Sequence, residues 1–254
     1  MIKSLIRRST LIGMVSTAIL GIASSNFKAL ALPAEEVLQK LDPVPVFTIA
    51  DEQGAPLVAS GEDDAKVAGV FISQQDANNF VTRLESQNPD LASKVQVVPV
   101  SLGEVYQLAQ ENAENNGLNF AYVPNEAAVN DAKTVSGTTY EGGVPLFVAK
   151  GGEDNGYLTI EQNSEQVIPF FFEKQQLENM VEKFKTQKPE LAASVNIEVV
   201  PLEGVIQTLQ NNDDPMLSKI VLVPSSESLQ FLQQSAPQQP ATEPAPAPAT
   251  EPAQ

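Results

Sequence analysis

The side chains of this chain that could do chemistry are carboxylates. Its 254 residues include 32 Asp and Glu but no histidine and no cysteine. Without histidine, neither a Ser-His-Asp nor a Cys-His nucleophile can be assembled. Without cysteine, thiolate catalysis and thiolate zinc sites are excluded as well. No phosphate-cradling GxxxxGK[ST] loop, GxGxxG turn or GxSxG elbow occurs. The densest acidic groups are Glu62-Asp63-Asp64 and Asp213-Asp214. Paired carboxylates can hydrolyse glycosides or ligate calcium. Both groups lie among polar, loop-like residues, and the Asp/Asn alternation with central Gly and terminal Glu of a calcium loop is missing. They read as solvated loops. No metal, no cofactor and no enzymatic activity is expected.

The other residues able to act are apolar. Ile168-Pro169-Phe170-Phe171-Phe172 forms a dense aromatic run, answered by Gly69-Val70-Phe71-Ile72 a hundred residues earlier. Two readings stand. The run is a strand covered on both faces, or one of its faces lines a hydrophobic groove walled by helices. Met and Phe suit such a groove because they adapt to different apolar shapes. The candidate groove residues are Phe71, Phe80, Leu84 and Tyr106, with Phe171, Met180, Phe184 and Ile206. Helical spacing predicts core positions equally well.

These residues are positioned by a duplication with a constant offset of 100 residues. Val44-Pro45-Val46-Phe47 returns as Val144-Pro145-Leu146-Phe147. Gln87, Pro89, Leu91, Ala92 and Val95 return as Gln187, Pro189, Leu191, Ala192 and Val195. Leu102, Val105 and Gln107 return as Leu202, Val205 and Gln207, and Val123-Pro124 as Val223-Pro224. A repeated structural unit follows. Each copy opens with an extended Val-Pro-x-Phe segment, a turn and a short strand, then a strand at 67–72 or 167–172. A helix carries Ala77, Phe80, Val81 and Leu84 on one face in copy one, and Leu177, Met180, Val181 and Phe184 in copy two. Ser73 is placed to cap the first. A strand at 95–100 or 195–200 precedes a second helix, with Ser101 and Glu104 as a capping box and Pro201 at the first helical position. Its buried stripe is Leu102, Val105, Tyr106 and Leu108-Ala109, matched by Leu202, Val205, Ile206 and Leu209. A strand at 119–123 or 219–223 leads to a third helix from Asn125 or Ser225.

Strand–helix–strand succession predicts parallel pairing, and the leading hairpin-like segments add antiparallel edges. The expected class is α/β (mixed α+β). Two repeats related by a pseudo-twofold axis each form a mixed sheet with two to three helices. The lobes are placed at 44–135 and 136–234, after a short helix in 32–43.

Residues 1–31 read as a cleaved signal peptide. Lys3, Arg7 and Arg8 form a basic start, Leu11 to Ile22 is too short to span a bilayer, and Ala29-Leu30-Ala31 gives a cleavage pattern. Cleavage removes four positive charges and no acid, taking the formal charge from −17 to −21. Such a surface repels nucleic acid and anionic headgroups, so nucleic-acid binding is excluded and membrane association is peripheral at most. Residues 235–254, with PATEPA twice, read as a disordered Pro/Ala-rich tail.

The ordered motifs over about residues 40–232 resemble the twenty-two-kilodalton subunit family of the chloroplast inner-envelope (TIC) translocon. They run from Val44-Pro45-Val46-Phe47-Thr48-Ile49 through Gly69-Val70-Phe71-Ile72-Ser73 and Val97-Val98-Pro99-Val100-Ser101-Leu102. Gly143-Val144-Pro145-Leu146-Phe147, Ile168-Pro169-Phe170-Phe171-Phe172 and Glu198-Val199-Val200-Pro201-Leu202-Glu203 complete them. The resemblance implies a protein working between two membranes on preprotein transport. With a bacterial-type leader it implies the cyanobacterial, periplasmic branch. A chaperone-like factor follows, binding apolar segments of unfolded outer-membrane proteins or preproteins beside a barrel assembly protein with periplasmic repeat domains. A periplasmic carrier of lipid or another small apolar ligand, and a non-enzymatic structural adaptor docking by edge strands or tail, are the alternatives.

Overall fold

The computed structural model describes residues 32–60, 66–112, 117–187, 189–212 and 214–235. The expected signal peptide, Glu62-Asp63-Asp64, Asp213 and residues 236–254 of the expected tail lie outside the described residues.

Helix α1 (Ala34–Leu41) precedes two similar successions. The first is β1 (Pro45–Asp51), β2 (Val58–Ser60), β3 (Lys66–Phe71), α2 (Gln74–Gln87), α3 (Pro89–Ala92), β4 (Val95–Ser101), α4 (Leu102–Asn112), β5 (Leu118–Val123) and α5 (Glu126–Ser136). The second is β6 (Pro145–Gly151), β7 (Gly156–Tyr157), β8 (Ile160–Gln162), β9 (Glu165–Phe171), α6 (Lys174–Gln187), β10 (Asn196–Pro201), α7 (Leu202–Asn211), β11 (Ile220–Val223) and α8 (Ser226–Ser235). A 3₁₀ segment, Pro189–Ser194, stands where the first copy has α3.

Local chemistry sets the helix starts. The Ser73 hydroxyl accepts the Asp76 amide at 3.2 Å and Asn125 Oδ1 accepts Ala128 N at 3.1 Å. The Ser101–Glu104 capping box forms both ways: Glu104 N donates to Ser101 Oγ (2.9 Å), and Ser101 N to Glu104 Oε2 (2.8 Å). Pro201 differs from expectation by one position. It caps α7 while still paired to Pro145 as the last residue of β10.

Each repeat forms its own mixed sheet, and the two sheets are separate. The first reads β5-β3-β1-β4, with β2 extending β1's side of β3. The second reads β11-β9-β6-β10, with β8 on β9 and β7 on β6. Only the outer pairs β3/β5 and β9/β11 are parallel; β1 and β6 pair antiparallel on both sides. This corrects the expectation that the leading segments form edges and that the crossover strands lie side by side. The opening Val-Pro-x-Phe segment is central. Its near-continuous apolar run is buried on both faces, as a central strand requires. The prolines fit the edges: Pro99 and Pro201 lie in the edge strands β4 and β10. Pro169 falls between the stretch of β9 paired with β8 and the residue paired with β6, a place that tolerates a missing N–H.

Strand alternation divides the apolar residues among three clusters. The central one lies between the sheets. It holds Val46 and Val70 of one, Leu146 and Phe170 of the other, Val37 and Leu41 of α1, and Leu102, Tyr106, Leu202 and Ile206 of α4 and α7. The two outer clusters reveal an exchange. Ala128 and Ala132 of α5 pack with Phe147, Leu177 and Phe184 of the second repeat. Phe231 of α8 packs with Phe47 and Phe71 of the first. Each repeat's third helix thus covers the other repeat's sheet. The Glu227 carboxylate of α8 also accepts the Gln75 amide of α2 at 2.9 Å.

Candidate functional site

The inner face of each sheet is covered by one helix of its own repeat, α4 or α7. Each sheet leaves an open recess beside its helix. In the first repeat the floor is Val70, Val100 and Phe120, from β3, β4 and β5. Val105 and Leu108 of α4 form one wall, and Pro56 of the β1–β2 turn faces them. The volume is about 540 Å3. In the second repeat Phe170, Val200 and Ile220 form the floor, and Val205 of α7, Met216 and Tyr157 the walls, around about 390 Å3. Val70/Phe170, Val100/Val200, Val105/Val205 and Phe120/Ile220 are a hundred residues apart, so the recesses are one site made twice.

Leu108 is 45 % exposed, the most exposed large aliphatic side chain among the described residues. Two others, Leu229 and Leu232 of α8, line a broader cleft of about 1120 Å3 beside α1, β9 and β11. There Lys40 of α1 donates to the carbonyls of Ser218 (2.6 Å) and Ile220 (3.2 Å), blunting the free edge of β11. Burial pulls the Lys40 ammonium below the ordinary lysine range, and Glu36 partly opposes this.

The eight residues that sequence reasoning put forward line none of these three hollows. Phe71 is buried in the outer cluster of the first sheet, its ring 5.7 Å from half-buried Phe80. Leu84 is half-buried on α2. Phe171 is buried beneath α6, packed with buried Phe184 and half-buried Met180 of that helix. Tyr106 and Ile206 are repeat mates inside the central cluster, where Gln210 Nε2 donates to the Tyr106 hydroxyl at 3.2 Å. Odd-numbered Phe71 and Phe171 face outward to the helices, and Val70 and Phe170 face the recesses. A one-residue step along a strand changes the face.

Leu108 is a second correction. The α4 stripe was expected to bury it, but Leu102, Val105 and Tyr106 are buried while Leu108 is exposed. The duplication carries the missed signal: its mate is Thr208, and a position that is polar in one copy is not core.

No group of three or more His, Cys, Asp or Glu able to hold a metal gathers among the described residues. No described helix is long and apolar enough to cross a membrane. The strongest shift of a titratable group lies near the junction of the lobes. Burial, with the charge of the Glu203 carboxylate, pushes the Tyr122 phenol up to about 12.

Three comparisons place the chain among known proteins. The sequence pattern of the Tic22-like family matches residues 4–235. The chain is 23% identical to "Protein TIC 22, chloroplastic" of Pisum sativum over 186 residues, 72% of this chain and 69% of the pea protein. It is 24% identical over 203 residues to "Protein TIC 22-like, chloroplastic" of Arabidopsis thaliana, 76% of this chain and 61% of that one. The solved structure of Anabaena Tic22, a protein of protein transport, superposes with a TM-score of 0.71 at 29% identity, covering 82% of this chain and 100% of that one.

Proposed function

The chain belongs to the Tic22-like family, and from that membership we propose that it holds apolar segments of unfolded client proteins in its twin recesses during protein transport. The observation that carries this reading is the repetition: the same open apolar hollow occurs in both copies, and the most exposed aliphatic side chain, Leu108, lines one of them. A contiguous apolar hollow left open on a folded protein is the kind of surface that serves as an interaction site. Two such sites on one body raise the apparent affinity for a long client, because engagement of one places the client near the other. The compartment in this reading is the periplasm. The clients are outer-membrane proteins or preproteins, handed to a barrel assembly protein with periplasmic repeat domains. Binding here is a matter of desolvating apolar groups, which requires no catalytic side chain.

The test is suppression of aggregation when a urea-unfolded outer-membrane barrel protein is diluted into buffer with an equimolar amount of the mature chain. Wild type is expected to keep the client in solution. Leu108→Asp and Met216→Asp, which place a charge at each recess, should each weaken the effect, and the double variant should abolish it. A correctly folded double variant that protects as well as wild type would remove the recesses from the proposal.

A further inference from the structure

Both recesses carry charge of one sign. Glu104 and Glu111 stand on the rim of the first and Asp214 on that of the second, and among the described residues no Lys or Arg lines either. These carboxylates accept hydrogen bonds from neutral donors. Ser101 N donates to Glu104 at 2.8 Å, Gln107 Nε2 to Glu111 at 3.0 Å, and Met216 N to Asp214 at 2.9 Å. None makes an ion pair among the described residues, so the charge of each stays open to solvent. Lys150 stacks on Tyr157, a wall residue of the second recess, 4.6 Å from the ring centroid. Its charge is already met by Glu198 at 2.6 Å.

The duplication copied only one of these acids, Asp214, whose mate is Glu114. Glu104 is answered by Gly204 and Glu111 by Asn211. The apolar floors are matched position by position, whereas Glu104 and Glu111 of the first rim have no acidic mate in the second copy.

We propose, resting on the reading of the recesses as client sites, that they select apolar segments flanked by lysine or arginine. The segment's aliphatic side chains would desolvate against Leu108, Val100 and Phe120, or against Val200, Met216 and Tyr157. The flanking cations meet the rim carboxylates. Each such pair lies at the surface and adds modestly to affinity. The combined field raises the encounter rate of basic segments and rejects acidic ones. A segment of the same apolar content with acidic flanks is repelled at both recesses.

The experiment measures binding of the mature chain to three short fluorescein-labelled peptides by anisotropy. They share one Leu/Val centre and differ only in flanks of Lys, Ser or Glu. The expected order is Lys, then Ser, then Glu, with about a tenfold span between the extremes at low salt, narrowing as salt screens the rims. The variant Glu104→Gln/Glu111→Gln/Asp214→Asn keeps acceptors for the three hydrogen bonds, and circular dichroism checks its fold. It should bring the Lys-to-Glu ratio close to one. Equal affinity for the three peptides would overturn the charge selection while upholding apolar binding. A ratio unchanged in the triple variant would overturn the assignment to these rims. No binding of any peptide would overturn both this inference and the client-site reading beneath it.

Discussion

Phe231 belongs to the second repeat, yet its ring stands edge-on against Phe47 of the first, with centroids 5.3 Å apart. Phe47 is fully buried. Phe231→Ala removes part of the roof over the first sheet's outer cluster. Truncating a fully buried phenylalanine costs about 3–5 kcal/mol. Phe231 is half-buried, so the expected loss is about 2–3 kcal/mol, of which the edge-on pair accounts for about 1. For a folded body of this size the thermal midpoint should fall by about 4–12 °C. The location of the loss is the sharper measurement. Hydrogen exchange read by mass spectrometry should quicken first in β1 and β4, residues 45–51 and 95–101, far from the substitution in sequence. The reciprocal variant is Ala132→Leu on α5. Ala132 is fully buried under the second sheet, and overpacking there costs about 1–3 kcal/mol. It should quicken exchange in β6 and β10 instead. If Phe231→Ala loosened only the second repeat and Ala132→Leu only the first, the exchange of third helices would not be a stabilising contact.

Two titratable groups give further expectations. The Tyr122 phenol is raised to about 12 in the fold, chiefly by burial and then by Glu203, against about 10 in the unfolded chain. Below pH 10 both states are protonated and its contribution is complete. As the pH climbs from 10 to 12 the unfolded chain ionises and the native one does not, so about 2 kcal/mol is lost. Tyr122→Phe should flatten that part of the urea-midpoint profile relative to wild type, and an unchanged slope would count against the burial of the hydroxyl. The Asp76 carboxyl is also raised, by burial first and by Glu227 and Glu126 beside it. Its native form favours the proton, so the stability it adds in acid is lost as pH rises through its native value. At pH 7 the ionised group is unfavourable, and Asp76→Asn should raise the thermal midpoint; a fall would show that the hydrogen bond its carboxylate accepts from Asn125 Nδ2 at 3.4 Å outweighs the repulsion.

Much of this was legible in the sequence because it depended on local rules. The constant offset gave the duplicated unit, and Ser73, Ser101 with Glu104 and Asn125 gave the helix starts. What the sequence hid was decided between elements. Nothing in residues 44–47 distinguishes a central strand from an edge, because either is an apolar run; only the pairing of β1 with both β3 and β4 settles it. The exchange of α5 and α8 was equally hidden. An alanine-rich helix such as 126–136 fits against either sheet, and the choice depends on where the chain crosses between repeats. The recesses were hidden in the same way. Size and hydrophobicity select for the core, and Phe71, Phe171 and Phe184 are there. Open apolar surface is marked by position rather than by residue type.

The Leu108–Thr208 pair turns that point into a physical argument about the duplication. A core position tolerates little change of polarity, since a buried hydroxyl without a partner costs about 1–3 kcal/mol. Thr208 escapes this cost because it is exposed and its hydroxyl donates to the Gly204 carbonyl at 2.7 Å. Leu108, exposed in the matching place, therefore adds nothing that the fold requires. Leu108→Thr should leave stability within about 0.5 kcal/mol, the range of surface changes, while weakening client retention by the first recess. If instead the variant unfolded readily, Leu108 would belong to the core after all, and the first recess would lose its strongest claim to be a binding surface.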